Sequence, residues 1–576
     1  MEALPQLHHA EGHDPEILRA EGFTGFSHAN IEDLTREELS SHAVAILTGG
    51  DLNPGHLAII RDWLENGGNL IAMRPGESLS AMAGLRSSGL TISGGYLQID
   101  TSGPPGQGLV AETIQFHGEA DIAVTTGETR SLAGLYHDAV TPARAPAVTL
   151  RPVGTSGGDI AVFLFDLALS VALTRQGNPA WEGQERDEAE PIRPNDLFFG
   201  DAGSNTQADF VDLDKVAIPQ ADEQMRLLSN VILHLTRDTA PLPRFWYFPK
   251  GAKAVLVMAA DDHGTRDGTE RFFQRLLALG PEGCDVANWD CARATSWIYA
   301  SSDLTNQQAA EFIAQGFDIG SHPNTHCHNW SEDSLARAFF EDLHSFALKY
   351  PDLPRQQGSR LHCIVWSDYA SHPRIERGWG IRYDLNYYYW PGTWIANRSG
   401  FMTGSGLPMR FADREGRLID VYQQETHLVD EVFGTAFSPV ETLIDRALGP
   451  EGYYGAFGTH VDFHNDFDLQ LMNLAVEKNV PMVSVQQMLD WTDGRNASGF
   501  DNTKWEDDVL SFDVHADART GEMLVGMLPF NFNNAQLVEL RRGEAAVPFT
   551  AEQIKGVEYG LFSATSGSYT ATYAPH

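Results

Sequence analysis

Ala252-Lys-Ala-Val-Leu-Val-Met-Ala-Ala-Asp261-Asp262-His263-Gly264 is the stretch on which the reading of this chain turns. The apolar run fits a buried strand, and it ends in two adjacent carboxylates. Buried carboxylates are costly unless they bind something. In α/β folds the carboxyl ends of the strands are where ligands sit. Adjacent strand residues point to opposite sides, so the two acids can take different jobs. One can ligate a metal and the other can act as a base. Taken alone, the pair reads more readily as a helix cap beside a surface acid.

Working outward, Thr295-Ser-Trp-Ile-Tyr is the next strand, and a helix follows over 306–315, ended by Gly316. Phe317-Asp-Ile-Gly then leads into Ser321-His322-Pro323-Asn324-Thr325-His326. Pro323 suits a first helical position. A helical turn there puts His322 and His326 on one face as a bidentate pair for a divalent ion. His328 is out of register. Further on, Gly452-Tyr-Tyr-Gly-Ala-Phe-Gly-Thr459-His460 reads as a strand ending in a histidine that can protonate a leaving group. A helix over 467–478, a strand over 481–485 and a helix over 485–491 continue the alternation. One Asp and two His as ligands leave positions open for water and substrate, the pattern of a catalytic metal site.

With these motifs together, residues 245–495 resemble the NodB-homology polysaccharide deacetylases, carbohydrate esterase family four. The resemblance implies a distorted (β/α) barrel and a metal-dependent hydrolase that removes N- or O-linked acetyl groups from a carbohydrate. It makes Asp261 the general base, Asp262, His322 and His326 the metal ligands, and His460 the general acid. Zinc is the implied ion, with cobalt or nickel as alternatives. The family's third motif, an Arg followed by Pro and an aromatic, aligns with Leu361-His-Cys-Ile-Val-Trp366-Ser367-Asp368-Tyr369, where no Arg-Pro pair occurs. Arg360 falls too early. The Arg that would orient the base is therefore unassigned, with Arg382 and Arg410 as substitutes from elsewhere. The fourth motif matches Tyr383-Asp384-Leu-Asn-Tyr-Tyr-Tyr-Trp390 loosely. Trp366, Tyr369, Tyr388 and Trp390 are the expected substrate-binding residues, with the Tyr369 backbone N–H as an oxyanion donor. Two other readings stay open: a catalytically weak carbohydrate-binding or scaffold protein, and a hydrolase of a non-sugar amide or ester.

The expected architecture is α/β and multidomain. Residues 1–240 alternate apolar strands and helices. Among them are Ala43-Val-Ala-Ile-Leu-Thr, a helix over 54–66 stopped by Gly67-Gly68, and the strand Asn69-Leu-Ile-Ala-Met. A helix is expected over 35–41, a β-rich stretch over 122–150 and a helix over 224–236. This region resembles the class I glutamine-amidotransferase-like, flavodoxin-like domain. That family's nucleophile is a Cys, and none occurs before Cys284, so a non-catalytic module is implied. Residues 499–576 read as short alternating strands of a small β-sandwich.

Composition bounds the partners. The chain has 576 residues, with 78 Asp+Glu against 40 Lys+Arg, a formal net charge of −38. So acidic a surface repels phosphate backbones and anionic lipid, which excludes nucleic acid as an expected partner. No run reaches the ~20 apolar residues of a membrane span. The start, Met1-Glu-Ala-Leu-Pro, lacks signal-peptide features. The expectation is cytoplasmic residence, or export with the leader trimmed. Cys284, Cys291, Cys327 and Cys363 are expected as buried free thiols.

Overall fold

The apolar runs become strands buried on both faces, and the glycines and capping side chains that bracket them set where the helices start and stop. A computed structural model describes residues 4–8, 14–154, 156–200, 209–434 and 436–575. The chain is mixed α/β, with one large sheet and a sheet-rich C-terminal region. It divides into two units. The first comprises Met1–Leu173, Ala221–Gly251 and Gly494–His576, and the second Thr174–Gln220 and Ala252–Asp493. The three consecutive segments read from the sequence are thus regrouped.

Specific polar ties explain the regrouping. In the first unit, Asn230 Nδ2 on the helix Gln220–Leu235 donates to the carbonyls of Pro105 and Lys555, each at 2.9 Å. Lys555 Nζ also lies 2.6 Å from Glu223 Oε1, both buried. In the second unit, Arg175 Nη1 donates to the Leu407 carbonyl at 2.9 Å, and Gln176 Nε2 to that of Ala412 at 2.9 Å.

The large sheet has nine strands. In spatial order, Phe26–Asn30, Leu4–His8, Val44–Thr48, Asn69–Met73 and Gly158–Phe163 are parallel. Pro142–Val153, Arg130–Tyr136, Leu85–Ile99 and Ile114–Thr125 then extend it antiparallel. The helix Pro54–Glu65 packs Ile60, Trp63 and Leu64 against Leu47, Leu70 and Ala72 of the parallel part. The Asn53 side chain accepts from the His56 N–H at 2.9 Å and starts this helix. Gly67, at φ +100°, ends it in a conformation that disfavours side chains. At the other end of the chain, two antiparallel sheets form, and the Phe512 and Phe562 rings meet between them at 6.3 Å.

The second unit is built on parallel strands. The 252–260 run breaks at Met258 into Ala254–Val257 and Ala259–Asp262. Ala259–Asp262 pairs with Thr295–Ile298, and that strand with Asp318–Ser321. A bridge from Asn324 to His362 continues toward Gly358–Ser359, which pairs with Tyr383–Asp384. That strand pairs with Leu418–Gln423, and Tyr388 bridges Thr426. Leu428–Val429 then pairs with Gly455–His460, which pairs with Ala254–Val257. The parallel pairings return on themselves. Asp261, His263, His362 and His460 therefore all stand at the carboxyl ends of neighbouring strands.

Candidate metal centre and catalytic pocket

Period-two alternation at the strand ends decides which side chains meet. Asp261 and His263 share one side and Asp262 takes the other. Asp262 is buried, but its carboxylate is fully engaged away from the imidazoles. Oδ1 accepts from the Gly264 and Thr265 N–H groups at 3.1 and 2.8 Å. Oδ2 accepts from Thr269 N and Oγ1 at 3.0 and 2.6 Å. It closes the loop into the helix Gly268–Leu279 and stands outside the clusters of converging ligand atoms. The structure therefore does not bring Asp262 to the imidazoles, and His263 converges on them in its place.

No helical turn follows His322. The Asn324 side chain accepts from the His326 N–H at 2.6 Å, and Asn324 pairs with His362 as ladder. His326 sits at φ +57° with an exposed side chain, so it does not join His322. The third imidazole comes from His362 instead. His263 Nε2 lies 3.3 Å from His322 Nε2 and 3.1 Å from His362 Nδ1. These three nitrogens belong to one group of converging ligand atoms. Zinc–nitrogen bonds of 2.0–2.1 Å at tetrahedral angles imply nitrogens roughly 3.3 Å apart, so the three fit a divalent ion. Burial holds His322 at a pKa of about 3 against the pull of Asp261, and His362 at about 4. Both are neutral at pH 7, the form that ligates. His322 Nδ1 lies 2.9 Å from the Arg360 carbonyl, which turns Nε2 inward. His263 Nδ1 lies 3.3 Å from Asp462 Oδ1.

Asp261 is the anion of the site. Arg360, wholly buried, donates Nη1–H to Asp261 Oδ1 at 3.0 Å. Its Nη2 donates to the Thr459 carbonyl at 2.7 Å and to Thr426 Oγ1 at 3.2 Å. Asp261 Oδ2 lies 3.3 Å from His460 Nε2, 3.8 Å from His322 Nε2, and accepts from the Tyr388 hydroxyl at 3.3 Å. Burial alone would raise the Asp261 pKa, but Arg360, His322 and His460 outweigh it and hold the group well below the usual range. The Arg that pairs with Asp261 is therefore Arg360. Arg382 is held by Asp420 and Asp493, and Arg410 by Asp420.

His460 carries the opposite charge. Its Nδ1 lies 2.8 Å from Asp430 Oδ1 and 2.9 Å from Glu431 Oε2. Burial would lower its pKa, yet Glu431, Tyr388 and Asp261 raise it well above 6.5. Asp261, His263, His362, Tyr388, Trp390 and His460 line a cavity of about 300 Å³. Arg193 also lines it.

Of the four expected substrate residues, Tyr388 and Trp390 line this cavity. Trp366 is buried and stacks on His372, with centroids 4.6 Å apart. Tyr369 is buried, and its backbone N–H donates to Glu182 Oε2 at 3.0 Å, which removes it as an oxyanion donor. The cysteines are not free thiols. Cys284 pairs with Cys291, and Cys327 with Cys363, the second bond bracketing His362. The signal for His362 was present in Arg360-Leu-His362, two residues on one side of an extended chain. That for the acid's partners was Asp430-Glu431, without a spacing that links it to His460.

No family model and no curated protein matches the chain. Solved structures show partial likeness. A β-galactosidase from Bacillus circulans sp. alkalophilus matches at 12% identity over 29% of this chain and 28% of its own, with a TM-score of 0.23. The mmIFT52 N-terminal domain matches at 13% identity over 30% of this chain and 88% of its own, also at 0.23. A GH29 α-L-fucosidase from Bacteroides thetaiotaomicron matches at 10% identity over 56% and 93%, at 0.22. The chain thus spans under a third of the β-galactosidase. At such TM-scores these likenesses carry no argument about fold or activity.

Proposed function

We propose that the chain is a metal-dependent hydrolase that removes acetyl groups from an N- or O-acetylated carbohydrate, in a distorted (β/α) barrel of the NodB-homology kind. The first unit's parallel strands, in the order second, first, third, fourth, fifth, support a flavodoxin-like module in the same chain. Its two antiparallel C-terminal sheets support a β-sandwich. The observation that carries the function is the convergence of three imidazoles, two of them lining the same cavity as an ionised buried carboxylate and a charged histidine. His263, His322 and His362 would hold the ion, zinc by donor type, with cobalt or nickel also suited. A bound ion supplies Lewis-acid polarisation of the acetyl carbonyl and acidification of water.

The chain's own groups do the rest. Arg360 occupies Asp261 Oδ1 and leaves Oδ2 to take the proton of the attacking water. His460, kept protonated chiefly by Glu431 and Asp261 and held at Nδ1 by Asp430, gives its Nε2 proton to the departing amine or alcohol. Tyr388 keeps its hydroxyl proton, because burial raises its pKa well above 10. That hydroxyl holds Asp261 Oδ2 in place. Trp390 offers an apolar wall for a sugar ring. Two disulfides support residence in an oxidising compartment, and so export. No helix among the described residues is long and apolar enough to cross a membrane.

The test is acetate release from a panel of N- and O-acetylated glycans, with elemental analysis of the same sample. Release that disappears together with the pocket ion in His263→Ala supports the reading. Metal bound without any acetate released would move the reaction to another acyl bond. A metal-free protein after reconstitution would refute the proposal.

A further inference from the structure

A second cluster of ligand-type side chains lies away from the pocket, in the interior of the second unit. The helix Ser371–Trp379 carries His372 and Glu376 four residues apart, on one face. Asp384 faces them from the strand Tyr383–Asp384. His372 Nε2 lies 3.1 Å from Glu376 Oε1 and 3.7 Å from Asp384 Oδ2. One ligand atom from each falls in a single converging group, and all three residues are fully shielded from solvent. The rings of Trp366, Phe339 and Trp330 surround His372, with centroids 4.6, 5.5 and 6.2 Å from it.

Two carboxyl groups in such a place need a counter-charge or their protons. Among the described residues no Lys or Arg forms an ion pair with either one. Among the described residues Glu376 Oε2 makes no hydrogen bond of good geometry, although the residue is wholly buried; its polar neighbour is the Ser359 hydroxyl, and the Asn386 amide nitrogen approaches His372 Nε2 at 3.4 Å. One nitrogen and two carboxylate oxygens, 3.1–3.7 Å apart about the imidazole, match the donor types and spacing that zinc takes in protein sites.

We propose that His372, Glu376 and Asp384 bind a structural divalent cation, zinc by donor set, separate from the pocket ion. The site is placed to brace the catalytic loop. Asn386 donates its backbone N–H to Asp384 Oδ1 at 3.0 Å and its side chain contacts Asp384 Oδ2. Asn386 Oδ1 in turn accepts from the Leu361 N–H at 2.9 Å, between Arg360 and His362. A cation on Asp384 would thus fix both the segment leading to Tyr388 and the strand end carrying Arg360. This proposal does not depend on the deacetylase reading.

The experiment is elemental analysis of the full chain after growth and purification with zinc. Wild type is expected to carry two equivalents, His322→Ala one, and His322→Ala/Glu376→Gln none. X-ray absorption of the metal left on His322→Ala should show a single imidazole among oxygen donors. That measurement needs no variant of the buried cluster, so it stands even where Glu376→Gln fails to fold. One equivalent in wild type and none in His322→Ala would overturn the buried site while leaving the pocket site intact. One equivalent in both would support the buried site and count against the pocket. A zinc centre with two or more imidazoles in His322→Ala, metal retained in the double variant, or no metal in any sample would each overturn the proposal.

Discussion

Replacing Arg360 with Met tests the assignment of the residue that keeps the base ionised. The side chain is wholly buried and makes three polar contacts, to Asp261 Oδ1, the Thr459 carbonyl and Thr426 Oγ1. Met has similar bulk but no charge. Asp261 is left with burial, which raises its pKa, and without the first of the groups that lower it. Removing one partner of a buried charge pair costs about 3–5 kcal/mol. At about 2–4 °C per kcal/mol for a unit of this size, the melting point falls by on the order of 10 °C. Loss of the ionised base should lower kcat/KM by about 10²–10⁴-fold. Arg360→Lys restores charge but not the fork, so it should recover part of the stability and less of the activity. Arg382→Met is the control. Arg382 serves Asp420 and Asp493, and its loss should leave kcat/KM within about twofold. The assays are thermal unfolding and acetate release, run in parallel. Arg360→Met that melts within about 2 °C of wild type, or Arg382→Met that loses activity as severely, would refute the argument.

Three further outcomes follow from the geometry. His362→Ala should lose the pocket ion while His326→Ala keeps it, because only His362 reaches His263; equal metal content in the two variants counts against the three-imidazole site. His460→Asn should retain metal and lose about 10²–10⁴ in kcat, since its nitrogens contact carboxylates and not the imidazole group; metal loss in this variant would show that the acid and ligand roles are misassigned. Burial lowers the pKa of His117 in the first unit and of His427 in the second to about 3. These groups stabilise the fold above the unfolded value near 6.5, and their contribution is lost as pH falls toward about 3, at about 1.4 kcal/mol per pH unit each. Urea unfolding between pH 7 and 5 should show His117→Gln and His427→Gln with flatter slopes than wild type, and identical slopes would contradict this.

The elements were legible where local signals act alone. The helix expected over 467–478 forms as Phe467–Lys478. The helix expected over 306–315 forms as Asn306–Ala314, started by the Thr305–Gln308 capping box. The turn after His322 was misread, because Pro323 permits a helix start while Asn324 is drawn into a ladder with His362, 38 residues further on. The reading of Cys327 and Cys363 as free thiols fails for the same reason. Cys327 and Cys363 are brought together by that ladder, and no local pattern announces it. Arg360 was set aside on motif spacing alone, whereas its reach to Asp261 depends on how the strands close round the unit.

The site's logic is nonetheless written in the sequence at a smaller scale than its motifs. Three of the contributing strand ends supply two functional groups two residues apart, Asp261 and His263, Arg360 and His362, His460 and Asp462, while the end of Asp318–Ser321 supplies His322 alone. Alternation sends the intervening Asp262, Leu361 and Val461 away from the pocket; Leu361 and Val461 are buried, Leu361 in an apolar cluster with Phe339 and Val365. Adjacent carboxylates at a strand end therefore cannot both face one ion while the chain stays extended. A metal set drawn from such a strand must skip a residue. On this chain the skipped residue, Asp262, ties down the loop that holds His263 in place. Asp262→Asn should accordingly weaken metal binding only through that loop. His263→Ala in an otherwise folded protein should abolish binding at the pocket while leaving the buried cluster loaded, and the ratio of the two pocket affinities separates a ligand from its support.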